Sequence, residues 1–120
     1  MKEEVKRWWS KAKDDLEKAI ILHKNRKYDG AVFFCQQSVE KGLKAVLIKK
    51  TGKFPKIHDL IRLARLTNSK VRILELCAMI NPAYTTSRYP DSIKKYSKEE
   101  CKKVIGYTRE VLEWIKENLN

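Results

Sequence analysis

Residues Phe33 to Leu47 read FFCQQSVEKGLKAVL, and the spacing of their side chains decides the fold. Placed at 100° per residue, Val32, Cys35, Val39, Leu43, Val46 and Leu47 share one arc, the apolar stripe of an amphipathic helix. Gln36, Gln37, Glu40, Lys41 and Lys44 occupy the adjoining arc, with Gln36 at its apolar edge between Leu43 and Leu47. That register predicts a half-buried Gln36, whose amide then needs hydrogen-bond partners. Two readings of the polar arc are open: a seam that fixes helix register, or the wall of a polar groove.

Outward from this helix the same periodicity recurs and no strand pattern appears. A first helix is expected from about Lys2 to Lys24, with Val5, Trp9, Ala12, Leu16, Ala19, Ile20 and His23 on one face. The polar turn from Asn25 to Tyr28 is short enough to force an antiparallel neighbour, the second helix, which ends at Thr51-Gly52. Pro55 bars helix until Asp59, the expected N-cap of a short third helix ending near Leu66. Asn68 or Ser69 is expected to cap a fourth from about Lys70 to Ile80, apolar nearly all round and so expected to be deeply packed. Ser97-Lys98-Glu99-Glu100 is a capping box opening the last helix, and Cys101, Val104, Ile105, Thr108, Val111, Leu112 and Ile115 follow at helical spacing. The expected fold is all-α, an up-and-down bundle of four main helices plus one short helix, with residues 1–120 as one domain. The segment from Pro82 to Tyr96 is long for a bundle connection, and its Tyr84, Arg88, Tyr89, Lys94, Lys95 and Tyr96 could stack on a base and neutralise phosphate, or anchor a surface loop with Arg88 paired to Asp91.

The net charge of +12 is unevenly distributed. Between Lys44 and Arg72 nine basic residues face one acid, Asp59, whereas the opening helix is balanced by Glu3, Glu4, Asp14, Asp15 and Glu17. A clustered excess of this kind attracts phosphate on nucleotides or RNA, although a solvated lysine-rich face has the same composition. Few aromatic residues interleave it, so no base-stacking platform is expected there. No apolar run reaches the ~20 residues of a membrane span. The mixed-charge start MKEEVKRWW lacks the apolar core of a signal peptide. Cys35, Cys77 and Cys101 are odd in number, unpaired in spacing and set on apolar faces, as suits free thiols in a reducing cytoplasm. His23 and His58 stand 35 apart without neighbours at metal-ligand spacing, so no metal or cofactor site is expected. His23 reads as a packed or capping side chain, and His58 as an imidazole bonded to a nearby carboxylate or carbonyl.

The run Phe34-Cys35-Gln36-Gln37-Ser38-Val39-Glu40-Lys41-Gly42-Leu43-Lys44 resembles the signature helix of the HEPN family (higher eukaryotes and prokaryotes nucleotide-binding domains). The resemblance continues through Trp9-Ser10-Lys11-Ala12-Lys13-Asp14-Asp15-Leu16, the turn Arg26-Lys27-Tyr28-Asp29-Gly30-Ala31, the loop Lys56-Ile57-His58-Asp59-Leu60 and the loop Ser87-Arg88-Tyr89-Pro90-Asp91. Together, in this order, these pieces identify the fold and leave the activity open. Family members that cleave RNA carry an arginine followed, after four to six residues, by a histidine near the start of the last helix. Here Arg88 is followed by Ile93, Lys94, Lys95 and Tyr96, and no histidine follows it anywhere. Lysine is a poor general base near neutrality, so the resemblance implies a non-catalytic module. The expected function is binding of a nucleotide or RNA phosphate by Gln36, Gln37, Glu40, Lys44, His58, Arg88 and Tyr89. The resemblance further implies a homodimer, in whose seam Trp8, Trp9 and Trp114 would fit, and a minimal nucleotidyltransferase partner in a toxin–antitoxin-like pair. The competing readings are a degenerate metal-free ribonuclease using Arg88 with His58 or Tyr96, and a purely structural dimer that docks another protein.

Overall fold

The second helix is the axis of the molecule, and this follows from its composition: 14 of its 24 residues are buried. In the computed structural model, which describes residues 1–87, 89–91 and 95–120, the elements are α1 (Glu3–Lys24), α2 (Tyr28–Thr51), α3 (Leu60–Leu66), α4 (Val71–Ile80), α5 (Ala83–Thr86) and α6 (Lys98–Leu119). The expected all-α bundle is present, and no strand occurs among the described residues. Helix α2 packs along α1 and α6 and is covered on its remaining side by α3 and α5. The long axis of 38 Å follows from 22-residue helices, which at a rise of about 1.5 Å per residue span about 33 Å.

Local chemistry sets the helix ends. Asp59 caps α3, its carboxylate accepting from the amides of Ile61 at 2.9 Å and Arg62 at 3.4 Å. Ser97 and Glu100 form the capping box of α6, each accepting the other's backbone amide at 3.1 Å. Gly52 closes α2 at φ 81°, a left-handed conformation that glycine adopts without a Cβ clash. Arg26 does the same work after α1 at φ 62°: Lys27 N–H donates to Leu22 C=O and Arg26 N–H to His23 C=O, a Schellman closure with a bulky residue at its left-handed position.

Three expectations need correction. Asn68 and Ser69 do not cap α4; they close α3, with Asn68 left-handed at φ 58° and the amide and hydroxyl of Ser69 both donating to Ala64 C=O. The N-cap of α4 is Lys70, without a side-chain bond. Helix α4 is not deeply packed. It lies on the outside against α3 and α6, so Ile73, Leu76, Cys77 and Ile80 are buried while Val71 and Met79 are 68% and 53% exposed. The stretch after Pro82 is not wholly loop but begins with the one-turn helix α5. The polar arc of α2 lies partly under the chain that leads into α3. Arg88 and Lys94, with the expected Arg88–Asp91 pairing, lie outside the described residues.

Candidate functional site

Five expected site residues, Gln36, Gln37, Glu40, Lys44 and His58, converge on α2 and the segment before α3. Gln36, Glu40 and Lys44 sit one turn apart at 0%, 4% and 4% exposure, so of the two readings of the polar arc these three fit the interior seam and not an open groove wall, and Gln36 is fully rather than half buried. Burial of these groups is tolerable only with every polar atom matched, and the matching is dense. Lys44 Nζ donates to Glu40 Oε2 at 2.8 Å. Gln36 Nε2 donates to His58 C=O at 3.0 Å and lies 3.5 Å from Glu40 Oε1. Gln37 Nε2 donates to Gln36 Oε1 at 2.8 Å, and Lys41 Nζ donates to Gln37 Oε1 at 3.0 Å and to Asp15 Oδ2 at 2.9 Å. One continuous polar chain therefore runs from Asp15 on α1 to the loop ahead of α3.

This polar chain reaches the surface at His58. Its Nδ1 lies 3.0 Å from both oxygens of Glu40, while the imidazole itself is 53% exposed. The Tyr84 ring of α5 stacks on it, with centroids 4.8 Å apart and planes 15° apart, and Phe33 stacks in turn on Tyr84 at 6.5 Å. A buried carboxylate thus fixes the proton on Nδ1 and an aromatic face fixes the plane of the ring, leaving Nε2 as an acceptor on the neutral imidazole and a donor on the protonated one. The main chain on either side is pinned as well. Asn81 Oδ1 accepts from Leu60 N–H at 2.9 Å, and its Nδ2 donates to Asp59 Oδ1 at 3.3 Å.

The basic stretch divides into two populations. Lys44, Lys49, Lys50 and Arg72 are used internally, on Glu40, Asn118 C=O, Thr67 C=O and Glu110 respectively. Lys53, Lys56, Arg62, Arg65 and Lys70 are exposed and have no carboxylate at ion-pair distance among the described residues. The first four flank His58 in the chain. Tyr89 is exposed, and Tyr96, a partner of Arg88 in the ribonuclease reading, is held by Thr86 Oγ1 at 3.0 Å and by its own amide on Asp29 at 3.3 Å.

Sequence reasoning missed Asp15, which is fully buried and held by Lys41 at 2.9 Å, Lys11 at 3.3 Å and Lys18 at 3.7 Å. Its signal was present: Asp15 follows Ala12 by three residues and precedes Ala19 by four, on the stripe that begins at Val5. The thiols are buried and free. Burial pushes Cys35 and Cys77 up to about 12 and Cys101 up to about 11. His23 is packed as expected, its Nδ1 3.2 Å from Cys101 Sγ. Among the described residues no group of three potential metal ligands converges.

Residues 5–119 match the family profile of the HEPN domain. The chain belongs to the HEPN domain family. A candidate toxin, MJ1304 of Methanocaldococcus jannaschii, is 30% identical over 127 residues, covering 91% of this chain and 84% of that protein. The crystal structure of ST0689, an archaeal HEPN homologue, is similar with a TM-score of 0.82 at 29% identity over the whole of both chains. That of TT1696 from Thermus thermophilus shares the fold with a TM-score of 0.88 at 20% identity, over 98% of this chain and 99% of the other. No helix among the described residues of this HEPN domain is long and apolar enough to cross a membrane.

Proposed function

We propose that this HEPN domain is a non-catalytic module that holds a nucleotide or RNA phosphate against His58, as one half of a toxin–antitoxin-like pair whose other half is a minimal nucleotidyltransferase. The observation that carries the reading is the exposed His58 imidazole, oriented by buried Glu40 and stacked on Tyr84. Such a ring, once protonated, offers a fixed N–H to a phosphate oxygen, and Lys53, Lys56 and Arg62 add long-range attraction. Gln36, Gln37 and Lys44 belong to this reading as the support that holds Glu40, not as ligand contacts. Arg88 and Tyr89 remain proposed contacts from the late loop. The likeness to a candidate toxin supports the toxin–antitoxin setting, and the exposed Val71 and Met79 on α4 offer an apolar stripe for a homodimer. A cytoplasmic location belongs to the same proposal.

The test is a thermal-shift and titration series with ATP, GTP and short RNA at low salt, on the wild type, His58→Ala and Arg88→Ala. A stabilisation that weakens steeply with salt and is lost in His58→Ala supports the reading. No shift with any ligand overturns it.

The Glu40–His58 pair also favours one second reading, a degenerate ribonuclease, because a carboxylate on Nδ1 is how an imidazole is prepared for proton transfer at Nε2. Labelled RNA incubated in EDTA separates the two. Cleavage that disappears in both His58→Ala and Arg88→Ala would replace binding with catalysis.

A further inference from the structure

Between α1 and α6 lies an open cleft of about 310 Å³ that shares no residue with the His58 surface. Its floor is apolar, made by Leu16 and the buried Leu112, and one wall is the partly exposed indole of Trp9. Lys13, Arg109 and Lys116 line the rim, all exposed. Glu113 is the single acid of the lining, so three positive charges face one negative.

These cations are not neutralised. Glu17 follows Lys13 by four residues, and Glu113 stands four after Arg109 and three before Lys116, all spacings at which helical ion pairs form. Yet among the described residues none of the three cations has a carboxylate at ion-pair distance, while Lys11 and Lys18 on the neighbouring face of α1 are fully engaged by Asp14 and Asp15. Lys13 instead sits over the Trp9 ring, its Nζ 5.6 Å from the centroid. A partly exposed indole with an ammonium 5.6 Å from its centroid, beside two further cations without an ion pair among the described residues and over an aliphatic floor, is complementary to a flat heterocycle attached to an anion.

We propose a second nucleotide site in this cleft: a base stacks on Trp9, displacing Lys13 from the ring, and its phosphate is held by Lys13, Arg109 and Lys116. Arg109 and Lys116 lie seven residues apart on α6, two helical turns or about 10 Å, so they follow a phosphate backbone along the helix. The group recognised is a nucleobase with an adjoining phosphate, supplied either by a free mononucleotide or by one nucleotide of single-stranded RNA. The inference does not rest on the His58 reading.

The experiment is titration of UMP and of a short single-stranded RNA at low salt, followed by tryptophan fluorescence and RNA anisotropy. It uses the wild type, Trp9→Leu, Arg109→Gln and each of these combined with His58→Ala. Trp9→Leu is expected to weaken binding about tenfold, the lower part of the range for one stacked base. Arg109→Gln is expected to reduce the slope of log affinity against log salt by about one for RNA. Both effects should persist in the His58→Ala background, which separates this site from the other. Quenching by UMP that Trp9→Leu abolishes assigns the free mononucleotide, and an effect confined to RNA assigns the polymer. Wild-type protein that binds neither ligand, or Trp9→Leu and Arg109→Gln proteins that bind both as the wild type does, overturns the proposal. Arg109 is exposed, so its variant keeps the test decisive should Trp9→Leu fail to fold.

Discussion

Replacing Glu40 by glutamine is the sharpest perturbation of the interior seam. Three donors converge on this carboxylate: Lys44 Nζ at 2.8 Å, His58 Nδ1 at 3.0 Å and Gln36 Nε2 at 3.5 Å. Lys44 has no other anion at ion-pair distance among the described residues, and its side chain is 6% exposed. Glu40→Gln keeps the shape but strands that ammonium, and losing one partner of a buried pair costs about 3–5 kcal/mol. The ammonium is not left wholly uncompensated, since Lys44 Nζ already lies 5.3 Å and 5.9 Å from the Phe54 and Trp8 ring centroids, so the lower end of that range applies. The expected loss is therefore about 3 kcal/mol, or about 12 °C in Tm for a chain of this size.

Lys44→Met is the milder change, because Glu40 keeps its bonds to His58 and Gln36; about 1–2 kcal/mol is expected. In the double variant Glu40→Gln/Lys44→Met no charge is stranded, so its loss should fall below the sum of the single losses by about 2 kcal/mol. Urea unfolding of the four proteins at neutral pH measures all three quantities. A Glu40→Gln loss under about 0.5 kcal/mol, or losses that simply add, would refute the reasoning and mean that water reaches Lys44.

Other outcomes follow from packing, backbone and thiol chemistry. A Cβ on Gly42 would stand 2.7 Å from Ile115 Cδ1 and 3.4 Å from Leu112 Cδ2, so Gly42→Ala should destabilise by about 1 kcal/mol, the overpacking cost outweighing the helix-propensity gain; a rise in Tm would show that Ile115 moves aside freely. Arg26→Gly should raise stability by about 0.5 kcal/mol, relief of the left-handed strain exceeding the added unfolded-state entropy, and calorimetry reads the sign. The unfolded chain loses its thiol protons above the ordinary value of 9.0, whereas folded Cys35 and Cys77 keep theirs to about 12. Stability should accordingly fall as pH rises from 9 towards 12, with a shallower slope in Cys77→Ala, and native thiols should resist iodoacetamide near neutrality until denaturant is added.

What was legible in the sequence was local. Asp59, Ser97 with Glu100, and Gly52 act on backbone groups within a few residues of themselves, so the ends of α3, α6 and α2 could be placed from side-chain chemistry alone. The expectations that failed did so for the opposite reason. Asn68 and Ser69 have the chemistry of an N-cap and of a helix closure alike, and the return of the chain to Ala64 C=O decides between them. Helix α4 carries apolar residues on faces that no other described element covers, which no periodicity within α4 can reveal. The burial of Gln36, Glu40 and Lys44 depends on the segment from Lys53 to Asp59 folding back over α2, through contacts such as Gln36 to His58 C=O and Glu40 to His58 Nδ1, 22 and 18 residues apart, which no local spacing reveals.

That seam constrains what the surface above it can be for. Apolar side chains at positions 36, 40 and 44 would fill the same space without desolvating a carboxylate and an ammonium, and buried pairs of this kind contribute little net stability. A seam serving register alone could also close on itself inside the protein. This one runs from Asp15 through Lys41, Gln37 and Gln36 to Glu40, and it ends on a solvent-exposed imidazole held in plane by Tyr84. The interior groups therefore set the orientation and proton position of one surface nitrogen. A buried polar chain that orients an exposed imidazole is what a binding or proton-transfer site requires, and it turns attention from the polar face of α2 to His58.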